Sequence, residues 1–367
     1  MGAPVDRESE DGIFPVRENP MGTDGLAFME FSATDPTALA VLFAELGFVK
    51  IADHVSRPVS LWRQRDISFI LNGDPQTHGG RFAAVHGPCV SAIAFKVSDA
   101  GSALARALAM DASAYAGDAP KTVDAPALEG IGGSLLYLID PKIEETLQAH
   151  AFRSTGIAAP RPGALFSAVD HLTHNVRAGG LETWMSFYKR LFGFREIFYL
   201  DARGASTGFR TYALMSPCDK ICIPINEPSD PKSQIQEFID LYKGEGVQHI
   251  ALAATDICAS VERVANSGIS FMGVPKSYYD AVEDRLPSHG EDLERLKRNS
   301  ILIDGERNAK TGDWDLLLQI FSKNLIGPIF LEFIQRKGNR GFGEGNARAL
   351  FEAIERDQIE RGVVSAA

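Results

Sequence analysis

Cysteine is scarce in this chain: Cys89, Cys218, Cys222 and Cys258 are the only four in 367 residues. None stands in a CxxC pair, and Cys218 and Cys222 have no second pair to join them. That spacing argues against a structural zinc site and fits reduced thiols in the cytoplasm. No apolar run approaches the roughly 20 residues of a membrane-spanning helix. The opening residues Met1-Gly2-Ala3-Pro4-Val5-Asp6 carry no signal-peptide core. Positive charge is in deficit, 37 Lys and Arg against 48 Asp and Glu, for a net charge of −11. Such a chain is a poor partner for nucleic acid or an anionic membrane surface. The length favours two domains.

Against this ordinary background one stretch stands out, Ile329-Phe330-Leu331-Glu332-Phe333-Ile334-Gln335-Arg336. It reads as a buried strand, apolar and rich in aromatic and β-branched residues. Side chains alternate along a strand, so Glu332 shares a face with Phe330 and Ile334. An ionised, unpaired carboxylate there costs several kcal/mol. It needs a cation, a hydrogen-bonding partner or a raised pKa.

The chain repeats itself with a period of roughly 150 residues. Val90-Ser91-Ala92-Ile93-Ala94-Phe95 matches Val247-Gln248-His249-Ile250-Ala251-Leu252, and Leu135–Ile139 matches Phe330–Ile334. Gly47-Phe48 and Gly193-Phe194 mark the same turn in each half. Each half reads as two β-α-β-β-β modules. The expected fold is α+β, two duplicated barrels of the vicinal-oxygen-chelate (glyoxalase and extradiol dioxygenase) type. The expected organisation is a lead-in at 1–24, an N-terminal barrel at 25–150, a linker at 151–165 and a C-terminal barrel at 166–367. The last includes a lid helix at about 346–360.

The duplication supplies an internal control. Where the C-terminal half has His171, His249 and Glu332, the N-terminal half has, in approximate register, Glu30, Ala92 and Tyr137. The three residues fall on separate strands of repeated modules, so they can converge inside one barrel. Two imidazoles and a carboxylate form the facial triad that leaves three positions open on Fe(II). His174 falls on the opposite face from His171. His54, His78, His86, His150 and His289 fall in expected loops or strand ends with no partner pattern.

Val169-Asp170-His171-Leu172-Thr173-His174-Asn175, Gly246–Ala251, Phe330–Arg336 and Gly341-Phe342-Gly343-Glu344-Gly345-Asn346 together resemble the 4-hydroxyphenylpyruvate dioxygenase family, over nearly the whole chain. The resemblance implies Fe(II) on His171, His249 and Glu332. It implies conversion of 4-hydroxyphenylpyruvate and O2 to homogentisate and CO2, a step of tyrosine and phenylalanine catabolism. The keto acid would chelate the iron and lose CO2, and ring hydroxylation with side-chain migration would follow. The resemblance further implies catalytic roles for Gln319 and Gln248 and substrate contacts from Thr211, Asn226, Gln234, Gln319, Phe321 and Phe342. It also implies a homo-oligomer, a dimer or tetramer.

Gly338, Gly341, Gly343 and Gly345 precede Asn346, a good N-cap residue, and the helix after it suits a lid that excludes water. One position departs from the family pattern. Ala347 stands where Phe is usual, which removes an aromatic surface from the expected pocket wall. Hydroxymandelate synthase, which oxidises the benzylic carbon of the same substrate, also lacks that Phe. Pro224 and Asn226 keep the dioxygenase pattern and favour homogentisate. Further alternatives are an extradiol ring-cleaving dioxygenase and a metal-free binding module.

Overall fold

The computed structural model describes residues 18–161, 163–203, 207–346 and residue 362. Its named strands form two eight-stranded sheets, one from each half of the chain. The N-terminal half runs β1 (Leu26–Ser32), α1 (Thr37–Glu45), β2 (Val49–His54), β3 (Val59–Gln64), β4 (Ile67–Asn72) and α2 (His78–His86). It continues with β5 (Cys89–Lys96), α3 (Ala100–Ala109), β6 (Ala127–Glu129), β7 (Leu135–Ile139), α4 (Pro141–Thr146) and β8 (Phe152–Ser154).

The C-terminal half opens with β9 (Phe166–Asn175), α5 (Leu181–Phe192), β10 (Arg195–Arg203), β11 (Gly208–Met215), β12 (Cys222–Pro228) and α6 (Gln234–Tyr242). There follow β13 (Gly246–Ala254), α7 (Ile257–Ala265), the short helices α8 (Lys276–Asp280), α9 (Val282–Arg285) and α10 (Leu293–Arg298), and β14 (Leu302–Arg307), β15 (Trp314–Phe321) and β16 (Phe330–Lys337).

Local chemistry explains the main joints. Gly47 and Gly193 adopt φ of 84° and 72° just after α1 and α5, the left-handed conformation that lets a helix end and turn back at little steric cost. Asp99, Asp140 and Asp256 cap α3, α4 and α7 by accepting a backbone N–H three residues on. Leu181, Met185, Tyr188, Leu191 and Phe192 form the buried stripe of α5. Full burial of each such side chain contributes about 1.5–3 kcal/mol. Phe95 of β5 packs against Phe192 and Phe194, which joins the two halves in one apolar core.

The strand orders are β6-β7-β5-β1-β4-β3-β2-β8 and β10-β11-β12-β9-β13-β16-β15-β14. The C-terminal sheet contains the two expected β-α-β-β-β modules. The second N-terminal module is shorter: between α3 and β6 only a bridge, Ala114 to Leu128, stands in for a strand. Gly117, Pro120 and Pro126 crowd that segment, and proline cannot donate to a ladder. Residues 152–154, inside the stretch read as linker, form β8 on the edge of β2.

His78 and His86, read as loop histidines, are the two ends of α2. The glycines that hid this helix have a packing reason. A Cβ on Gly79 would lie 2.3 Å from Glu30 Oε1. Seven of the eight C-terminal strands, all but β14, line a single cavity, so the sheet curls around it.

Candidate active site

Three adjacent strands carry the three ligand-type residues. In their register Ala251 on β13 lies between His171 on β9 and Glu332 on β16, and His249 sits two residues earlier on β13. Residues two apart share a face, so all three side chains rise on one side of the sheet around the small Ala251. Glu332 Oε2 lies 3.1 Å from His171 Nε2 and 3.5 Å from His249 Nε2, and the two Nε2 atoms are 3.3 Å apart. Glu332 is only 1% exposed.

The opposite nitrogens are held in place. His171 Nδ1 donates to Asp170 Oδ1 at 2.9 Å, and His249 Nδ1 donates to Gln248 Oε1 at 3.0 Å. These acceptors assign the ring protons to Nδ1 and turn both Nε2 lone pairs inward. Two lone pairs and a carboxylate oxygen then converge on one point, an arrangement that demands a cation among them. Burial alone would lower His171, but the carboxylates of Glu332 and Asp170 push it up to about 9. Burial alone would raise Glu332, but the two imidazoles hold it at about 2. Burial lowers His249 against the pull of Glu332. Where no metal is bound, His171 carries the proton. The donor set, two neutral nitrogens and one carboxylate, fits a divalent transition metal.

The surroundings fix this geometry. Arg336 grips Asp170 with both arms, Nε to Oδ2 at 2.8 Å and Nη2 to Oδ1 at 2.9 Å, and its Nη1 donates to Gly341 O at 2.6 Å. Burial would raise Asp170, but Arg336 and His171 hold it well below the usual carboxylate range. Gln319 Nε2 donates to Glu332 Oε1 at 2.8 Å. The Phe330 ring stacks on His249 at 4.8 Å, and Phe342 lies 5.4 Å from the His171 ring and 5.3 Å from Phe198. His174, on the other face, donates to or accepts nothing at the centre; its Nδ1 pairs with Leu172 O, and burial lowers it to about 4.

His171, His249, Glu332, Gln248, Gln319, Thr211, Asn226, Gln234, Phe321 and Phe342 all line the one cavity. Ala347 and the rest of the expected lid helix lie outside the described residues. Thr173, Phe198, Leu200, Phe209, Pro224 and Ile235 complete the lining among the described residues. Thr173 had a sequence signal, since it sits two residues after His171 on the same strand face.

Two expectations need correction. Residues 344–346 are already helical, so Asn346 is not the N-cap. Its side chain turns inward and donates to Gln319. Glu30, matched to His171 in the sequence, is instead the counterpart of Thr173: Glu30 pairs with Ala92 as Thr173 pairs with His249. The counterpart of His171 is Phe28, opposite Ala94. Tyr137 does match Glu332, each lying opposite the alanine at the fifth place of its motif, Ala94 and Ala251.

The paired modules and the inward-facing triad define a member of the glyoxalase and dioxygenase superfamily. The model described as "Glyoxalase/Bleomycin resistance protein/Dioxygenase superfamily" matches residues 168–282, and "Hydroxyphenylpyruvate dioxygenase, HPPD, N-terminal" matches residues 17–151. The chain is 47% identical to 4-hydroxyphenylpyruvate dioxygenase of Pseudomonas aeruginosa, over 95% of this chain and 98% of that one. The corresponding enzyme of Legionella pneumophila (strain Corby) is 46% identical over 94% and 98%. Hemolysin VllY of Vibrio vulnificus is 49% identical over 95% and 98%.

Among solved structures, a 4-hydroxymandelate synthase mutant from Streptomyces coelicolor superposes with a TM-score of 0.79 at 25% identity, covering 92% of this chain and all of that one. A xylose isomerase-like TIM barrel/4-hydroxyphenylpyruvate dioxygenase fusion protein gives 0.78 at 30% identity over 95% of this chain, which spans 55% of the fusion. The chain belongs to the 4-hydroxyphenylpyruvate dioxygenase family.

Proposed function

We propose that this protein is an Fe(II)-dependent dioxygenase converting 4-hydroxyphenylpyruvate and O2 to homogentisate and CO2, in the cytoplasm, as a step of tyrosine catabolism. The observation that carries this reading is the convergence of His171 Nε2, His249 Nε2 and Glu332 Oε2 in a buried cavity, in a chain 47% identical to an enzyme of that name. Bound by these three residues, Fe(II) would supply open positions for the α-keto carboxylate and O2 and the electrons that activate oxygen.

The protein's own part is to bind, orient and keep dry. Asp170 and Gln248 hold the imidazole tautomers that present lone pairs. Phe321, Phe342, Phe198 and Pro224 give the substrate ring apolar walls that exclude water. Asn226 Nδ2 donates to Asn175 Oδ1 at 3.0 Å and approaches Gln248 Oε1 at 3.3 Å, so the amide wall is ordered before substrate arrives. Gln234 Oε1 is buried with no hydrogen-bond partner among the described residues. It is therefore poised to accept the phenolic hydroxyl, with Thr211 beside it on the cavity wall. Gln319, which bonds Glu332 and lines the cavity beside it, would touch the keto acid.

Product identification tests the reading: Fe(II)-loaded protein with 4-hydroxyphenylpyruvate and O2 should give homogentisate and an equal amount of CO2. One observation favours a second reading, benzylic oxidation to hydroxymandelate, namely Ala347 in place of the family phenylalanine. A dominant hydroxymandelate peak would replace the first reading by the second. Ala347→Phe should shift keto-acid affinity or product ratio, and no change in either would remove Ala347 from the pocket wall.

A further inference from the structure

Behind Gln319 runs a chain of three hydrogen bonds with a fixed direction. Tyr278 Oη lies 2.8 Å from Asn346 Oδ1, Asn346 Nδ2 donates to Gln319 Oε1 at 2.8 Å, and Gln319 Nε2 donates to Glu332 Oε1 at 2.8 Å. Asn346, Gln319 and Glu332 are 0%, 4% and 1% exposed, so water competes little for these bonds. The direction follows from chemistry at one end. An ionised carboxylate only accepts, so Gln319 must present its nitrogen to Glu332 and its oxygen to Asn346. Asn346 must then present its own nitrogen, and its oxygen requires a donor. The Tyr278 hydroxyl is the donor in reach, its single proton shared between Asn346 Oδ1 and Ile303 O, each at 2.8 Å.

Packing keeps the chain in place. Tyr278 Oη accepts from Ile303 N at 2.9 Å, and the Arg285 guanidinium lies 5.0 Å from its ring centre. Gly343, at φ 66°, passes so close that a Cβ there would sit 3.0 Å from Gln319 Oε1. With Glu332 Oε1 bound by Gln319, Oε2 is the oxygen left facing the two imidazoles.

We propose that Asn346 and Tyr278 are positioning residues that set the amide orientation of Gln319 and thereby turn one chosen oxygen of Glu332 toward the metal position. This rests on the dioxygenase reading for the identity of metal and keto acid. Asn346→Asp keeps size and the acceptor for Tyr278 but removes the N–H. Gln319 then meets an acceptor at both ends and has to leave one unsatisfied. Tyr278→Phe removes the donor that orients Asn346.

The test is anaerobic Fe(II) titration of metal-free protein against a competing chelator, followed by calorimetric titration of the loaded protein with 4-hydroxyphenylpyruvate. Asn346→Asp should weaken Fe(II) binding about tenfold and Tyr278→Phe about threefold. In a Gln319→Ala background each should add less than about twofold, because both act through that side chain. Wild-type Fe(II) affinity in Asn346→Asp, or a tenfold loss that persists in the Gln319→Ala background, overturns the proposal. If Asn346→Asp fails to fold, the same comparison with Tyr278→Phe decides it. Wild-type protein that binds Fe(II) but gives no heat with the keto acid would overturn the substrate reading alone, and the Fe(II) comparison would still stand.

Discussion

The two halves of this chain build the same kind of sheet and fill it differently. In the C-terminal half His171, His249 and Glu332 surround Ala251. At the matching places the N-terminal half has Phe28, Ala92 and Tyr137 around Ala94. Phe28 and Tyr137 meet at 5.7 Å between ring centres within an apolar cluster. The N-terminal half also buries a carboxylate, Glu30, but surrounds one of its oxygens with neutral donors and leaves Oε2 without a hydrogen-bond partner among the described residues. Asn72, Thr122, Ser91 and Ser32 all donate to Oε1. The fold thus accepts a buried acid in either of two ways. Neutral donors make it structural, and opposed lone pairs give it the setting in which a carboxylate could hold a metal.

The largest expected effect comes from erasing the difference. Glu332→Ala should abolish iron retention and turnover while circular dichroism stays native. Wild-type oxygen uptake in that variant would remove Glu332 from the ligand set. A weaker break targets the support. Asp170→Asn frees the tautomer of His171, and iron affinity measured by chelator competition should fall about 10–100-fold. Equal affinity would mean that Arg336 and packing alone orient the ring.

The smallest effect belongs to the N-terminal half. Burial raises the Glu30 pKa above its ordinary value despite its four donors. A carboxyl raised in the folded state adds stability below its unfolded pKa of about 4.5, and that stability is lost as pH rises through the folded value. Glu30→Gln should therefore stabilise the protein at pH 8 by on the order of 1 kcal/mol and leave turnover unchanged. Urea midpoints at pH 4 and pH 8 check this. A gain that is the same at both pH values would show that Glu30 does not titrate between them.

Much of this was legible in the residues. The Glu332 strand announced itself because a carboxylate is so rare in such company, and the two alanine-spaced motifs placed His249 beside it. The first strand was harder. Phe28–Phe31 and Val169–Leu172 share too little side-chain pattern to fix register, which cross-strand pairing decides; the match slipped by two residues and gave Glu30 the place of Phe28. Asn346 misled for a different reason. After a glycine run, asparagine suggests a cap, and nothing local reveals an amide fourteen residues past Glu332 turning back toward Gln319. Asp170 and Arg336 were visible only as neighbours of motifs. Their grip on each other spans 166 positions of sequence and belongs to the folded sheet alone.

The order of the three candidate ligands along the chain also sets an order in time. β9 and β13 pair directly with each other, but β16, which brings Glu332, is the last strand of the sheet to leave the ribosome. A partly made chain can offer two imidazoles and no carboxylate between them. The oxygen-activating centre is therefore completed only when nearly all of the walls that confine it already exist.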